Sequence, residues 1–219
     1  MIAPARRTAV DAVRDIEDSP LDLGEAIARA RQGLTDERDR ALLLEIVTGT
    51  LRMRAALDYQ IAQRTNRPLQ KLDAAVLRIL RAAAFQLIYL SRLPASAVIN
   101  DSVELTRRAG KSSAAGFVNA VLRKISRERG ELAWPDDLAV IHSHPEWLVD
   151  RWVTRYGRSA AESWLQFNNR PPALCLAVNT AMTTREAVAR ELAEAGVTTE
   201  RTRRARHGFT SCHSWPSSY

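Results

Sequence analysis

Leu72, Val76, Ile79, Ala83, Leu87 and Leu90 recur at steps of three and four, which lays one unbroken apolar stripe along an α-helix. A strand, with its period of two, would send these side chains to both faces. A stripe this long needs apolar faces of other helices against it, so the chain is predicted to be an all-α bundle with this helix near its centre. Nearly every periodic segment before residue 168 has the same spacing. Ala5 to Ile16 opens the chain, and Leu23 to Arg31 follows the break at Ser19-Pro20. Thr35 is the expected N-cap of a third helix, with Asp36 and Glu37 in its first turn where the helix dipole favours acids. That helix buries Leu44, Val47 and Leu51 and is predicted to continue to about Arg64, before the loop at Asn66-Arg67-Pro68.

Pro94 to Ile125 reads as two short amphipathic helices joined by a turn rich in Ser, Gly and basic residues. Val98, Ser102, Leu105 and Ala109 share one face, and Asn100, Glu104, Arg107, Arg108 and Lys111 lie opposite. Gly110 ends the first helix, and Ser112 or Ser113 is expected to cap the second. The second helix carries Phe117, Val118, Val121, Leu122 and Ile125 inward and leaves Asn119, Arg123, Lys124 and Arg127 outside. Together they present one basic edge.

The segment VINDSVELTRRAG followed by GFVNAVLRKI resembles the end of the NusB-type RNA-binding domain. ARRTAVDAV, DRALLLEIVTGTLR and LDYQIAQRTNRPLQKLDAAVLRILRAAAFQLIYL resemble its earlier helices, so the likeness covers about residues 5–128. HPEWLVDRWVTRYG and NNRPPALCLAVN resemble the segments that lead to the methyltransferase domain in the Sun/RsmB family, whose members methylate cytosine C5 in small-subunit ribosomal RNA. The resemblance implies a NusB-like helical bundle over residues 1–130, a helical linker over 131–170 and an incomplete α/β piece over 171–200. It also implies an RNA partner, small-subunit ribosomal RNA, with Arg6 and Arg7 matching the arginine-bearing amino terminus of NusB proteins.

Further along, Trp134-Pro135 marks a linker and His144-Pro145 the entry to another helix. That helix has the stripe Leu148, Val149, Trp152, Val153 and Tyr156, with Gly157 as its stop. Ala161, Trp164 and Leu165 mark the next. Trp147, Trp152 and Trp164, at helical spacings, are expected in the core. Asn168 to Pro172 breaks the pattern, Ala173 to Val178 alternates as a single strand, and Thr183 with Glu186 forms a capping box for a helix ending at Gly196. Residues 201–219 read as a basic, disordered tail. A frameshifted or prematurely ended reading frame is the expected origin of its patternless end.

Of the net charge of +7, residues 201–219 contribute four arginines and no acid, leaving +3 for the first 200. RNA binding by the bundle therefore has to come from a local patch rather than bulk charge. No apolar run approaches membrane-spanning length and no secretory leader is evident, so no membrane partner is expected. Cys175 and Cys212, far apart and without a CxxC neighbour, suit a reducing cytoplasm.

Methyl transfer in the family needs a nucleophilic cysteine, a second cysteine and a Rossmann-like domain for S-adenosylmethionine, and none is recognisable here. Cys175 reads as a buried small hydrophobe, Cys212 lacks the proline that precedes the family's cysteine, and Gly24, Gly33 and Gly49 form no nucleotide loop. The expectation is no cofactor in this chain and no methyl transfer by it alone. His142, His144, His207 and His213 match no common zinc spacing, so no metal is expected.

The candidate RNA-binding residues are thus Arg6, Arg7, Arg107, Arg108, Lys111, Ser113, Asn119, Arg123 and Lys124. Small residues and a helix N-terminus near 110–116 would let backbone amides reach a phosphate. Three readings remain open: an RNA-recruiting part of a methyltransferase, an antitermination factor with a ribosomal protein partner, and a protein-interaction module.

Overall fold

A computed structural model describes residues 2–171, 175–202 and 208–211. The expectations attached to Pro172, Ala173, His207, Cys212, His213 and most of the tail lie outside those residues. The chain divides into two compact units, Met1–Asn169 and Arg170–Tyr219.

The first unit is all helical. Helices α1 (Pro4–Asp18), α2 (Leu23–Gln32), α3 (Glu37–Arg52), α4 (Arg54–Ala62), α5 (Ala74–Tyr89), α6 (Ala95–Arg108) and α7 (Ala115–Arg127) build the main bundle. Its core includes Val13, Leu43, Ile46, Leu57, Ile61, Leu80, Val98, Leu122 and Ile125, each at most 1% exposed. Several starts share one device. Asp22, Asp36 and Asp73 accept hydrogen bonds from the first free backbone N–H groups of α2, α3 and α5. The cap of α3 is therefore Asp36, not Thr35, because the helix begins at Glu37 and the Arg38 N–H donates to the Asp36 carboxylate at 2.7 Å.

Helix α3 also stops earlier than the apolar pattern implies. Met53, at φ −97° and ψ 23°, leaves the helical region and separates α3 from α4. The new helix start is satisfied from a distance: the Ala56 N–H donates to Ser143 Oγ at 2.9 Å. No local Gly or Pro announces the break, since a tertiary hydroxyl takes the role of the cap.

From Arg78 to Leu87 helix α5 is buried on every face, not only along its stripe: Arg78, Arg81 and Gln86 are enclosed along with Ile79, Leu80 and Ala83. Arg81 grips Asp58 with two parallel bonds of 2.6 and 2.7 Å, while Arg78 pairs with Glu17 at 2.6 Å and with Asp18. Charges that periodicity assigns to a solvated face are thus folded in and neutralised by α1 and α4. Helix α3 crosses α5 at Gly49, where a Cβ would lie 1.9 Å from the Phe85 ring, so only glycine permits this approach.

The chain after α7 is tied back to α4. Buried Gln60 donates to the Ala133 carbonyl at 2.8 Å, and Arg64 bridges Gln60 and Glu128, at 2.7 Å to each side chain. Helices α8 (Leu138–Ile141), α9 (Glu146–Tyr156) and α10 (Arg158–Asn168) then enclose a small core of Leu138, Ala139, Val149 and Leu165. The turn between α8 and α9 is fixed by two bonds to the His142 carbonyl, from His144 Nδ1 at 2.7 Å and from the Asn169 amide at 2.9 Å. Burial lowers the pKa of the His142 ring, which favours its neutral form.

That second core is too small to cover wide indoles. Trp152 is partly buried, but Trp147 is 66% exposed and Trp164 is 52% exposed, against the expectation that all three lie in the core. Trp164 packs instead edge-on to Trp152 and stacks on Phe167 along the surface.

The second unit holds β1 (Cys175–Ala177), α11 (Arg185–Glu194), β2 (Thr199–Arg201) and β3 (Gly208–Ser211). Three antiparallel strands in the order β1-β3-β2 replace the single strand expected, with Leu176 opposite Phe209 and Glu200 opposite Thr210. Residues 208–211, assigned to a disordered tail by sequence, form the middle strand of this sheet. Strands of three or four residues are too short to display a period of two, and their pairing is set by β3 lying between its neighbours. The α11 cap is Thr184, whose hydroxyl accepts from the Ala187 N–H at 3.2 Å, so Thr183 and Glu186 make no capping box. Cys175 is exposed, not buried.

Candidate nucleic-acid interface

The polar edge of the main bundle is organised by the end of α6. Ala109 closes the helix and Gly110, at φ +74°, turns the chain. Two reversed bonds seal that turn, from the Gly110 N–H to Arg107 O at 3.0 Å and from the Lys111 N–H to Thr106 O at 3.1 Å. Ser112–Ala114 follows as a single 3-10 turn leading straight into α7. Neither Ser112 nor Ser113 caps α7 by its side chain, because that turn occupies the position where the cap would sit. Ser113 is exposed on the turn. Just beyond it, a Cβ on Gly116 would meet nothing within 4 Å, so the first turn of this 13-residue helix opens to its surroundings.

The nine candidate side chains fall into distinct electrostatic states. Arg6 is not a surface residue: at 8% exposure, its Nε donates to Gln86 Oε1 at 2.8 Å and its Nη1 to Asp101 Oδ2 at 2.7 Å. The Ala3 N–H donates to the same carboxylate oxygen at 3.1 Å. Arg6 thus clamps the start of the chain to α5 and α6. Lys111 is held by Asp73 at 2.6 Å, and this contact, with the N–H groups of Val76 and Ala75, keeps the Asp73 carboxyl below its ordinary range.

Arg107 reaches Glu104 at 3.3 Å on the open surface, a bond weak enough to exchange for another anion. Arg123 Nε donates to Asn119 Oδ1 at 3.0 Å. Arg7, Arg108 and Lys124, by contrast, make no side-chain hydrogen bond or ion pair among the described residues.

Two clefts flank α6. The first, about 290 Å³, lies between α1, α5 and α6 and brings Arg7 and Arg108 to one opening. The second, about 380 Å³ between α6 and α7, is lined by Arg107 and Asn119 with Asn100, Glu104 and Gly116. Sequence order hides the first arrangement, because Arg7 and Arg108 meet only after α1 packs beside α6. Ala109 is exposed yet lines the same cleft, so its place on the apolar face concerns the cleft wall and not the core. Ser113 and Lys124 line neither cleft.

Among the described residues, no group of three His, Cys, Asp or Glu side chains is arranged to hold a metal, and no helix is long and apolar enough to cross a membrane.

The NusB family model matches residues 3–127, and the ferredoxin-like domain model of RsmF/B-like methyltransferases matches residues 144–210. The probable ribosomal RNA small subunit methyltransferase B of Bacillus subtilis (strain 168) is 38% identical over 170 residues, covering 75% of this chain and 38% of its own. The protein of the same name from Synechocystis sp. (strain PCC 6803) is 34% identical over 203 residues, covering 89% and 45%. The crystal structure of PH0851 superposes with a TM-score of 0.68 at 18% identity, covering 96% of this chain and 49% of that one, which supports the fold. The chain spans less than half the length of these relatives.

Proposed function

Because this chain belongs to the NusB family, through residues 3–127, and continues into an RsmF/B-type ferredoxin-like domain, we propose that it binds RNA as the recruiting portion of a small-subunit ribosomal RNA cytosine-C5 methyltransferase. The observation that carries this reading is the convergence of Arg7 and Arg108, both without acidic partners, on one cleft mouth. Unpaired guanidinium groups held on rigid helices are suited to phosphate, which they engage by two parallel bonds. Arg107, next to Arg108 and held only by its exchangeable bond to Glu104, adds to that charge, and Lys124 is assigned as a further phosphate contact from α7.

Within this reading the NusB-like domain, residues 1–130, does the recruiting, residues 131–170 form a helical linker, and the small α/β unit follows. Ser113, Asn119 and Arg123 are assigned to positioning RNA through polar contact, and Lys111 to the same role once Asp73 releases it. Arg6 is reassigned from RNA contact to holding Arg7 in place. We assign S-adenosylmethionine and the methyl-transfer step to no residue of this chain, and we place the protein in the cytoplasm.

The test is a fluorescence-anisotropy titration against a structured small-subunit ribosomal RNA fragment and a matched single strand. Preference for the structured fragment, weakening as salt rises, is the expected outcome. Preference for the single strand would replace this reading with an antitermination-type role alongside a ribosomal protein. Equally weak binding to both would leave a protein-interaction module.

A further inference from the structure

The cleft between α1, α5 and α6 has two chemically different parts. Its wall is apolar, built from Val10, Ala75, Ile79, Leu105 and Ala109. Four arginines and one aspartate also line it, Arg78 buried and Arg7 and Arg108 exposed. Arg14 answers Asp11 at 3.2 Å and Asp15 at 3.0 Å, and Arg78 is spent on Glu17 and Asp18. Arg7 and Arg108 are left with charge to offer. A site for phosphate alone would have no use for an apolar recess, and a purely apolar partner would have no use for two uncompensated guanidinium groups.

Size narrows the occupant. Pockets for drug-sized ligands run from roughly 300 to 1,000 Å³, and this cleft, at about 290 Å³, lies just below that range, a volume suited to a single ring system and not to a larger ligand. A nucleotide whose base is turned out of its stack has the matching form: an apolar planar face joined to a flanking phosphate. Such bases are recognised by stacking against apolar walls or guanidinium planes. We infer that this cleft receives one unstacked base of a structured RNA, with Arg7 and Arg108 holding the phosphates on either side of it. The inference rests on the RNA-binding reading and adds what that reading lacks, a reason to choose among RNAs of equal charge.

The probe is an RNA hairpin with a single bulged 2-aminopurine in its stem, compared with the same hairpin bearing an abasic site at the bulge. Wild-type protein should bind the base-bearing hairpin about tenfold more tightly, with a change in 2-aminopurine fluorescence on binding. Ala109→Phe fills the cleft from an exposed position, so the fold should persist, as a circular dichroism melt will verify. This variant should bind both hairpins alike, at the abasic affinity and with the wild-type salt dependence. Equal wild-type affinities, with salt-dependent binding retained, would overturn the base-pocket assignment and leave RNA recruitment standing. So would an undiminished preference in folded Ala109→Phe. Failure to bind either hairpin at any salt would instead remove the RNA-binding reading itself.

Discussion

Arg81→Ala should cost about 3 kcal/mol of folding free energy, the lower end of the range for breaking a buried ion pair by removing one partner. The loss comes less from the attraction forgone than from what remains: Asp58, bound at 2.6 and 2.7 Å, would keep its charge in a partly enclosed site with no donor to meet it. Its side chain retains 27% exposure, so water can relieve part of the penalty, which is why the lower end applies. Equilibrium urea denaturation followed by circular dichroism measures this directly. The double variant Arg81→Met, Asp58→Leu should recover most of the loss, because a hydrophobic pair of similar volume removes both desolvation costs. A single-variant loss below about 1 kcal/mol would mean that the pair behaves as an exposed one.

The second large effect reverses the usual sign of a glycine substitution. Within a helix, Gly→Ala ordinarily stabilises by roughly 0.4–1 kcal/mol, through backbone entropy. At Gly49 the new Cβ would fall 1.9 and 2.3 Å from atoms of the Phe85 ring, whose residue is 4% exposed and has little room to withdraw. Gly49→Ala should therefore destabilise by about 1–3 kcal/mol, the usual range for overpacking. Gly116→Ala, where nothing lies within 4 Å, should stabilise by about 0.5 kcal/mol. Adding Phe85→Leu to Gly49→Ala should return part of the loss. If both glycine variants stabilise alike, α3 and α5 do not cross as closely as described.

These two sites also show where sequence reasoning reaches its limit. The stripe from Leu72 to Leu90, the paired faces of α6 and α7 and the turn at Gly110 are local patterns, and each was legible because a helix repeats its environment along its own length. Gly49 carries no such signal, since its reason for being glycine lies in a ring thirty-odd residues away, a distance set by packing.

The buried charges failed for a related reason. Arg78 and Arg81 sit opposite the apolar stripe of α5, where periodicity gives side chains to water, but α5 is surrounded, and acids from α1 and α4 turn that polar face inward. Of the candidate RNA contacts, the sequence named Arg7 and Arg108 but could not join them, and the spacing that puts Arg6 with Ala9 and Val13 on the inner face of α1, with Arg7 opposite, was the signal that separates the two arginines. The tryptophans of α9 and α10 mislead in the opposite direction: an apolar stripe predicts burial only if there is enough partner surface to bury it.

In the proposed function Arg7 and Arg108 act together on RNA phosphate while Arg6 serves the fold. The most direct measurement is the slope of log affinity against log salt for a structured ribosomal RNA fragment, with wild-type protein, with Arg7→Ala plus Arg108→Ala, and with Arg6→Ala. Each lost phosphate contact should reduce the slope by about 0.7–0.9, so the double variant should fall by roughly 1.5 while melting as wild type does. Arg6→Ala should instead melt earlier, because Asp101 and Gln86 lose their shared donor, and keep the wild-type slope wherever it remains folded. A folded double variant with an unchanged slope would contradict the account.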